Sequence, residues 1–192
     1  VGDTVLVQKA GDVIPAVVRV LLEERPEGLE KFTLPSKCPI CDTPTIRENG
    51  EVALRCVNPA CPAKIQRLLM HFVSRTAMNI DGFGEALVEA FVDKGLIETI
   101  PDMYTLHEHV EVLKALDGFG DKSVNKLLEA IEESKQNDYY RLIVGLGIPL
   151  IGEKAAKTLA KHFPSMMLLR EASVEVLTAI DEIGDKMAMR LI

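Results

Sequence analysis

Ile80-Asp81-Gly82-Phe83-Gly84 opens a segment that returns three more times, as Leu116-Asp117-Gly118-Phe119-Gly120, Ile148-Pro149-Leu150-Ile151-Gly152 and Ile180-Asp181-Glu182-Ile183-Gly184. The final glycines stand 36, 32 and 32 residues apart. A polar residue and an amphipathic run follow each one. A repeat of this length decides architecture, because one unit cannot bury its apolar face alone. The unit also points to a ligand. Glycine lets the backbone turn sharply and approach another molecule closely. The helix behind it offers unpaired N–H groups and the positive end of its dipole. Together these bind phosphate.

Around the repeats the chain reads as mainly helical. Ile65, Leu68, Leu69, Phe72 and Val73 form the stripe of an amphipathic helix. Further helices are expected near 84–94, 106–116, 121–135, 138–146, 153–163, 166–171, 173–180 and 185–192. Gly95, Pro101, Gly147-Ile148-Pro149 and Pro164 punctuate them. The hydrophobic residue between the glycine positions (Phe83, Phe119, Ile151, Ile183) is expected to plug each turn into its core. The third and fourth copies carry Leu150 and Glu182 at the first glycine position. Those two turns are expected to be wider or more structural, and Glu182 would repel a phosphate facing it.

Composition sets bounds. The 192 residues suffice for one large domain or two small ones, and 47% of them are hydrophobic. With no Trp and 5% aromatics the core is expected to be aliphatic. The net charge of −7 argues mildly against diffuse nucleic-acid binding, but it is uneven. Residues 63–137 carry eight basic and thirteen acidic side chains, whereas residues 138–192 carry seven of each. Oriented backbone donors at contact distance outweigh a distant screened charge. No export signal or membrane-length apolar run is read, so a soluble, cytoplasmic protein is expected. The start at Val1 and the end at Ile192, inside a helical pattern, suggest a piece of a longer chain.

All four cysteines lie within 24 residues, as Cys38-Pro-Ile-Cys41 and Cys56-Val-Asn-Pro-Ala-Cys61. Two close pairs joined by a hairpin make a tetrahedral four-sulfur site, and zinc suits it best. Asn49-Gly50 is a strong turn for that hairpin. Four sulfurs leave no position for water, so the metal is structural. Disulfides need an oxidising compartment, and a redox pair leaves Cys56 and Cys61 unexplained. His71, His107, His109 and His162 belong to helical stretches and serve as surface or core residues.

At the front, Thr4-Val-Leu-Val7, the turn Ala10-Gly11-Asp12 and Val13–Leu22 read as strand, turn, strand, with Pro15 marking an edge or a bulge. Such a pair cannot stand alone.

In this order the parts resemble the C-terminal half of bacterial NAD-dependent DNA ligases. Gly2-Asp3-Thr4-Val5 with Lys9-Ala10-Gly11-Asp12-Val13-Ile14-Pro15 resembles the end of that family's oligonucleotide-binding (OB) barrel. The cysteine segment through Pro62-Ala63 resembles its zinc finger. Ile80–Gly84 and Leu146-Gly147-Ile148 with Gly152-Glu153-Lys154-Ala155-Ala156 resemble its helix-hairpin-helix domain. The resemblance implies three regions: 1–30 as an OB-fold remnant, 31–63 as a four-cysteine zinc finger, and 64–192 as four helix-hairpin-helix repeats. It implies zinc on Cys38, Cys41, Cys56 and Cys61. It also implies contacts to the DNA backbone from Gly82, Gly84, Gly118, Gly120, Lys122, Gly152, Lys154, Gly184 and Lys186, without base readout.

The family's reaction runs in three steps. A lysine in Lys-x-Asp-Gly takes AMP from NAD, the AMP passes to the 5′-phosphate at a nick, and the 3′-hydroxyl seals the strand in replication and repair. NAD and magnesium belong to sites outside this chain. No Lys-x-Asp-Gly occurs here; Lys114-Ala-Leu-Asp-Gly118 is one residue too long. The chain alone is therefore expected to be inactive. Its part is to grip nicked double-stranded DNA as a monomer while the finger orients the domains. Lys9 and Asp12, and Arg47, Arg55, Lys64 and Arg67 around the finger, are further candidates for contact. The alternatives are a non-enzymatic DNA-junction or repair module and a protein-interaction scaffold.

Overall fold

The computed structural model describes residues 1–11, 13–47, 52–116 and 118–192. Asp12, the Asn49-Gly50 turn and Asp117 of the second repeat lie outside them. The chain divides into two compact units, Val1–Val57 and Asn58–Ile192. Among the described residues, no helix is long and apolar enough to cross a membrane.

The first unit opens with the expected hairpin. Strands β1 (Val5–Ala10) and β2 (Ile14–Val20) run antiparallel, with Val5 opposite Val20 and Lys9 opposite Pro15. Pro15 sits in a two-stranded ladder, where each strand is an edge and a missing N–H is tolerated. The bulge falls elsewhere, between Leu6 and Val7, where Val18 is the extra residue. Arg25 closes the segment with a two-pronged hydrogen bond to the Asp3 carboxylate. That guanidinium holds the Asp3 carboxyl below the usual carboxylate range. Val5, Leu6, Val7, Ile14, Val17 and Val18 are all exposed. Two short strands, β3 (Thr45–Ile46) and β4 (Arg55–Cys56), pair antiparallel in the cysteine segment.

The second unit is helical and has two cores. Around the first lie α1 (Pro62–Val73), α2 (Glu85–Asp93), α3 (Ile100–Tyr104), α4 (Val110–Lys114) and α5 (Asp121–Ser134). Around the second lie α6 (Tyr139–Gly145), α7 (Glu153–His162), α8 (Met166–Arg170), α9 (Val174–Thr178) and α10 (Asp185–Leu191). The first core is not purely aliphatic. The Phe83 and Phe91 rings meet edge-on at 5.4 Å, and Phe119 reaches Phe91 at 6.2 Å. The second core is the aliphatic one, with Ile143, Ile151, Leu159, Leu177 and Ile183 at its centre.

Two local features depart from the pattern reading. Pro101 does not break the chain but starts α3, where its missing N–H costs nothing. Asp102 anchors that start by accepting from the N–H of Glu98 (3.0 Å), the N–H of Thr99 (2.7 Å) and the Thr99 hydroxyl (2.8 Å). These donors pull the Asp102 carboxyl below its ordinary range. The helix expected over 106–116 is split into a 3-10 turn, Leu106–His109, and α4. His109 leaves the α region there, at φ −112° and ψ 22°.

The two cores meet where α1 crosses α6. A Cβ on Gly145 would sit 2.8 Å from the Phe72 ring, so glycine sets this close approach. His71 Nε2 donates to the Val144 carbonyl at 2.7 Å. The Arg141 guanidinium donates to the carbonyls of Arg75 (3.1 Å) and Ala77 (2.7 Å), and Asn137 donates to Met78 (2.6 Å). Arg141 of α6 and Asn137 just before it thus give donors to carbonyls of the turn that follows α1.

Candidate metal centre and nucleic-acid interface

Local turns bring the four cysteines together. The Asp42 N–H donates to the Cys38 carbonyl (2.9 Å) and the Cys38 N–H to the Thr43 carbonyl (2.9 Å). Asp42 takes φ 54° to close that turn. Cys56 comes from β4, opposite Thr45. Asn58 accepts from the Ala60 N–H at 2.9 Å, and this turn delivers Cys61 as the N-cap of α1 with Pro62 in its first turn. The four sulfur atoms all lie within 4.8 Å of one another, and Cys41 Sγ stands 3.5 Å from Cys56 Sγ. A tetrahedral zinc with bonds near ~2.3 Å places its sulfurs about 3.8 Å apart. Cys38 and Cys61 are buried, and Cys41 and Cys56 are half-buried. The donor set therefore fits a structural zinc, which when bound ties the two ends of the segment together.

All four repeats make one turn. The residue at the first glycine position has positive φ in each: Gly82 79°, Gly118 73°, Leu150 72° and Glu182 75°. The next residue donates its N–H back to the first hydrophobic residue of the motif. Those bonds are Phe83 to Ile80 (3.3 Å), Phe119 to Leu116 (3.0 Å), Ile151 to Ile148 (3.0 Å) and Ile183 to Ile180 (3.1 Å). The third and fourth turns are thus not wider. Burial of Ile151 and Ile183 outweighs the modest cost of a left-handed Leu or Glu. Phe83, Ile151 and Ile183 are buried plugs, and Phe119 is half-buried.

The second glycine of each turn is the N-cap of the following helix. Gly84, Gly120, Gly152 and Gly184 have φ from −77° to −92°, extended values open to any residue. A Cβ at any of them would meet nothing within 4 Å. Neither backbone strain nor internal packing demands glycine at these four positions. Glycine there leaves open space beside the backbone. Among the described residues, no side chain caps these helices. Their first N–H groups keep the orientation that binds anions.

Charge around the turns is more balanced than the sequence suggests. Lys126 pairs with Asp81 at 2.9 Å, Lys114 with Asp121 at 2.9 Å, and Lys157 with Glu153 at 2.6 Å. Lys154 pairs with Glu182, which joins the third and fourth turns. Lys126 holds the Asp81 carboxyl low, as Lys157 does that of Glu153. Lys122 and Lys186 are exposed, as are Lys9, Arg47, Arg55, Lys64 and Arg67. The pattern reading missed the pairs Lys126–Asp81 and Lys154–Glu182 because their partners come from different repeats.

Family models match along the chain. Residues 37–63 match the NAD-dependent DNA ligase C4 zinc finger domain. Residues 74–133 match a SAM-like helix-hairpin-helix tandem, and residues 141–192 a helix-hairpin-helix motif. Most residues of each core fall within one of the two helical matches. The chain is 50% identical over its whole length to the DNA ligase of Macrococcus caseolyticus and covers 29% of it. It is 51% identical to the DNA ligase of Halalkalibacterium halodurans over 191 residues, which are 28% of that protein. The DNA ligase of Symbiobacterium thermophilum is 50% identical over 98% of this chain and 28% of its own length. The chain thus spans less than a third of these relatives. With the cysteine finger and both helical tandems matched, the chain belongs to the bacterial NAD-dependent DNA ligases, of which it represents the segment bearing the zinc finger and the helix-hairpin-helix repeats.

Proposed function

We propose that this chain is the DNA-gripping part of an NAD-dependent ligase that seals nicks between a 5′-phosphate and a 3′-hydroxyl. One observation carries the reading. Four glycines, Gly84, Gly120, Gly152 and Gly184, face open space at uncapped helix starts without any internal need for glycine. A sugar-phosphate backbone uses that space, since its phosphates accept from clustered N–H groups and its approach excludes a Cβ. Contacts of this kind position DNA without reading its sequence. Gly82 and Gly118 shape the first two grips, and Lys122 and Lys186 add a charge to theirs.

In this reading residues 1–30 end an OB barrel, residues 31–63 form a zinc finger, and residues 64–192 hold the grips. The finger orients its neighbours, so that a larger enzyme closes around the duplex. Nucleotidyl transfer from NAD, with magnesium, belongs to residues outside this chain, which has no Lys-x-Asp-Gly. The 192 residues alone then bind DNA in the bacterial cytoplasm as a monomer but do not seal it. Binding to fluorescent nicked, intact and single-stranded DNA across a salt series tests this. Duplex binding that weakens with salt and ignores sequence is expected. No duplex binding at low salt would overturn it.

A further inference from the structure

We infer that Glu182 is a built-in competitor for the phosphate-binding lysine of the third hairpin. Its carboxylate holds the Lys154 ammonium while DNA is absent, and the duplex binds there by displacing it. The inference rests on the DNA-gripping role proposed above.

Glu182 occupies a left-handed position, φ 75°, that glycine fills in both turns of the first tandem. The turn itself gains nothing from a glutamate there. What the glutamate adds is a carboxylate aimed across to the next grip, where it pairs with Lys154 two residues past Gly152. The third and fourth turns share one shallow depression, lined by Leu150, Gly152, Lys154, Ala155, Glu182 and Met187. A phosphate approaching Gly152 enters that depression and meets the same ammonium. Carboxylate and phosphate oxygens compete for one donor, and only one of them is satisfied at a time.

The first tandem is arranged differently. Its hairpin carboxylate, Asp81, pairs with Lys126, one helical turn beyond Lys122. Lys122 stands in the place that Lys154 takes in the third repeat, and it is exposed. The second repeat, like the fourth with its exposed Lys186, therefore meets DNA with that lysine ready, while the third exchanges an internal partner. The exchange is cheap. Both members of the Lys154–Glu182 pair reach solvent, at 82% and 44% exposure, and such pairs are weak and screened by salt.

Equilibrium binding to a fluorescent nicked duplex at low salt tests this with four proteins: the unaltered chain, Glu182→Gln, Lys154→Met, and the double variant. Asp185→Asn supplies the same charge change at the start of α10. Glu182→Gln is expected to tighten binding roughly two- to five-fold, the range set by an exposed ion pair. The gain is expected to shrink with added salt and to vanish in the Lys154→Met background. An equal gain in that background, or one matched by Asp185→Asn, would show general repulsion and overturn the inference. So would unchanged affinity of Glu182→Gln in a chain that binds DNA, with the gripping role intact. If no protein in the set binds duplex, the gripping role fails and this inference falls with it. Far-UV circular dichroism establishes that all the variants are folded.

Discussion

The two helical tandems build the same turns with different residues. In the first, glycine sits at the left-handed position and phenylalanines packed edge-on help fill the core. In the second, Leu150 and Glu182 take that position at φ 72° and 75°, over an aliphatic core. The backbone bond that closes the turn is kept in all four, at 3.0 to 3.3 Å. Glycine is therefore the easy solution for this turn but not a requirement. Burial of the plug residue holds the backbone in place, at a cost of about 1–2 kcal/mol for each non-glycine left-handed residue. The second glycine behaves in the opposite way. It is kept in all four copies although its conformation and surroundings admit any side chain. The position with internal strain varies and the position without it does not, the pattern that the proposed grip at the second would need.

The largest expected effect separates both tandems from the finger. Neither core cluster contains a cysteine. Chelation is expected to unfold residues 37–63 outright, because structural zinc supplies local folding energy, and to leave the helical circular dichroism in place. Collapse of that signal would show that the tandems depend on the metal.

Removing a plug comes next. Phe83→Ala is expected to cost about 3–5 kcal/mol and Ile183→Ala about 2–5 kcal/mol in denaturant unfolding. Phe119→Ala, half-buried, should cost less than Phe83→Ala. If Ile183→Ala loosens only the amides of α6 to α10 in hydrogen exchange, the tandems are separate folding units. If α1 loosens too, the close contact at Gly145 couples them.

A smaller effect bears on the turn itself. Gly118→Ala is expected to destabilise by about 1 kcal/mol, whereas Leu150→Gly should stabilise by about 0.5–1 kcal/mol. Loss of stability in Leu150→Gly would mean that the leucine side chain does more for the fold than its exposure suggests.

The smallest effect is electrostatic. Lys126 lowers the Asp81 carboxyl pKa in the folded chain. Its small stabilisation is then present above the unfolded value of about 3.9 and lost as pH falls through the lower folded value. An NMR titration of the carboxyl should show this depression, and Lys126→Met should remove most of it, the Gly82 N–H keeping the rest. An ordinary midpoint in the unaltered protein would remove the pair from solution.

Much of this was legible in the chain because it depends on local chemistry. Glycine spacing exposes the repeat, cysteine spacing exposes the metal centre, and strand, turn and helix residues place most elements within a few positions. α3 escaped because Pro101 reads as a break unless the Thr99–Asp102 cap beside it is weighed. The split at His109 carries no local marker. Leu150 and Glu182 suggested altered turns, because a local reading assigns left-handed positions to glycine and does not see the plug that holds them.

The amino-acid sequence by itself determined the number of turns, the ligands available to a metal and the glycine that starts each helix. These follow from residue types at short range. Tertiary structure alone decided that four repeats pair into two cores, that Gly145 lets α1 and α6 touch, and that Glu182 reaches Lys154. Those contacts join residues 28 to 73 positions apart. Packing density and the demand that buried carbonyls find donors select the contacts between the cores, opposite charge at the surface selects Lys154 and Glu182, and none of these is visible until the chain has closed on itself.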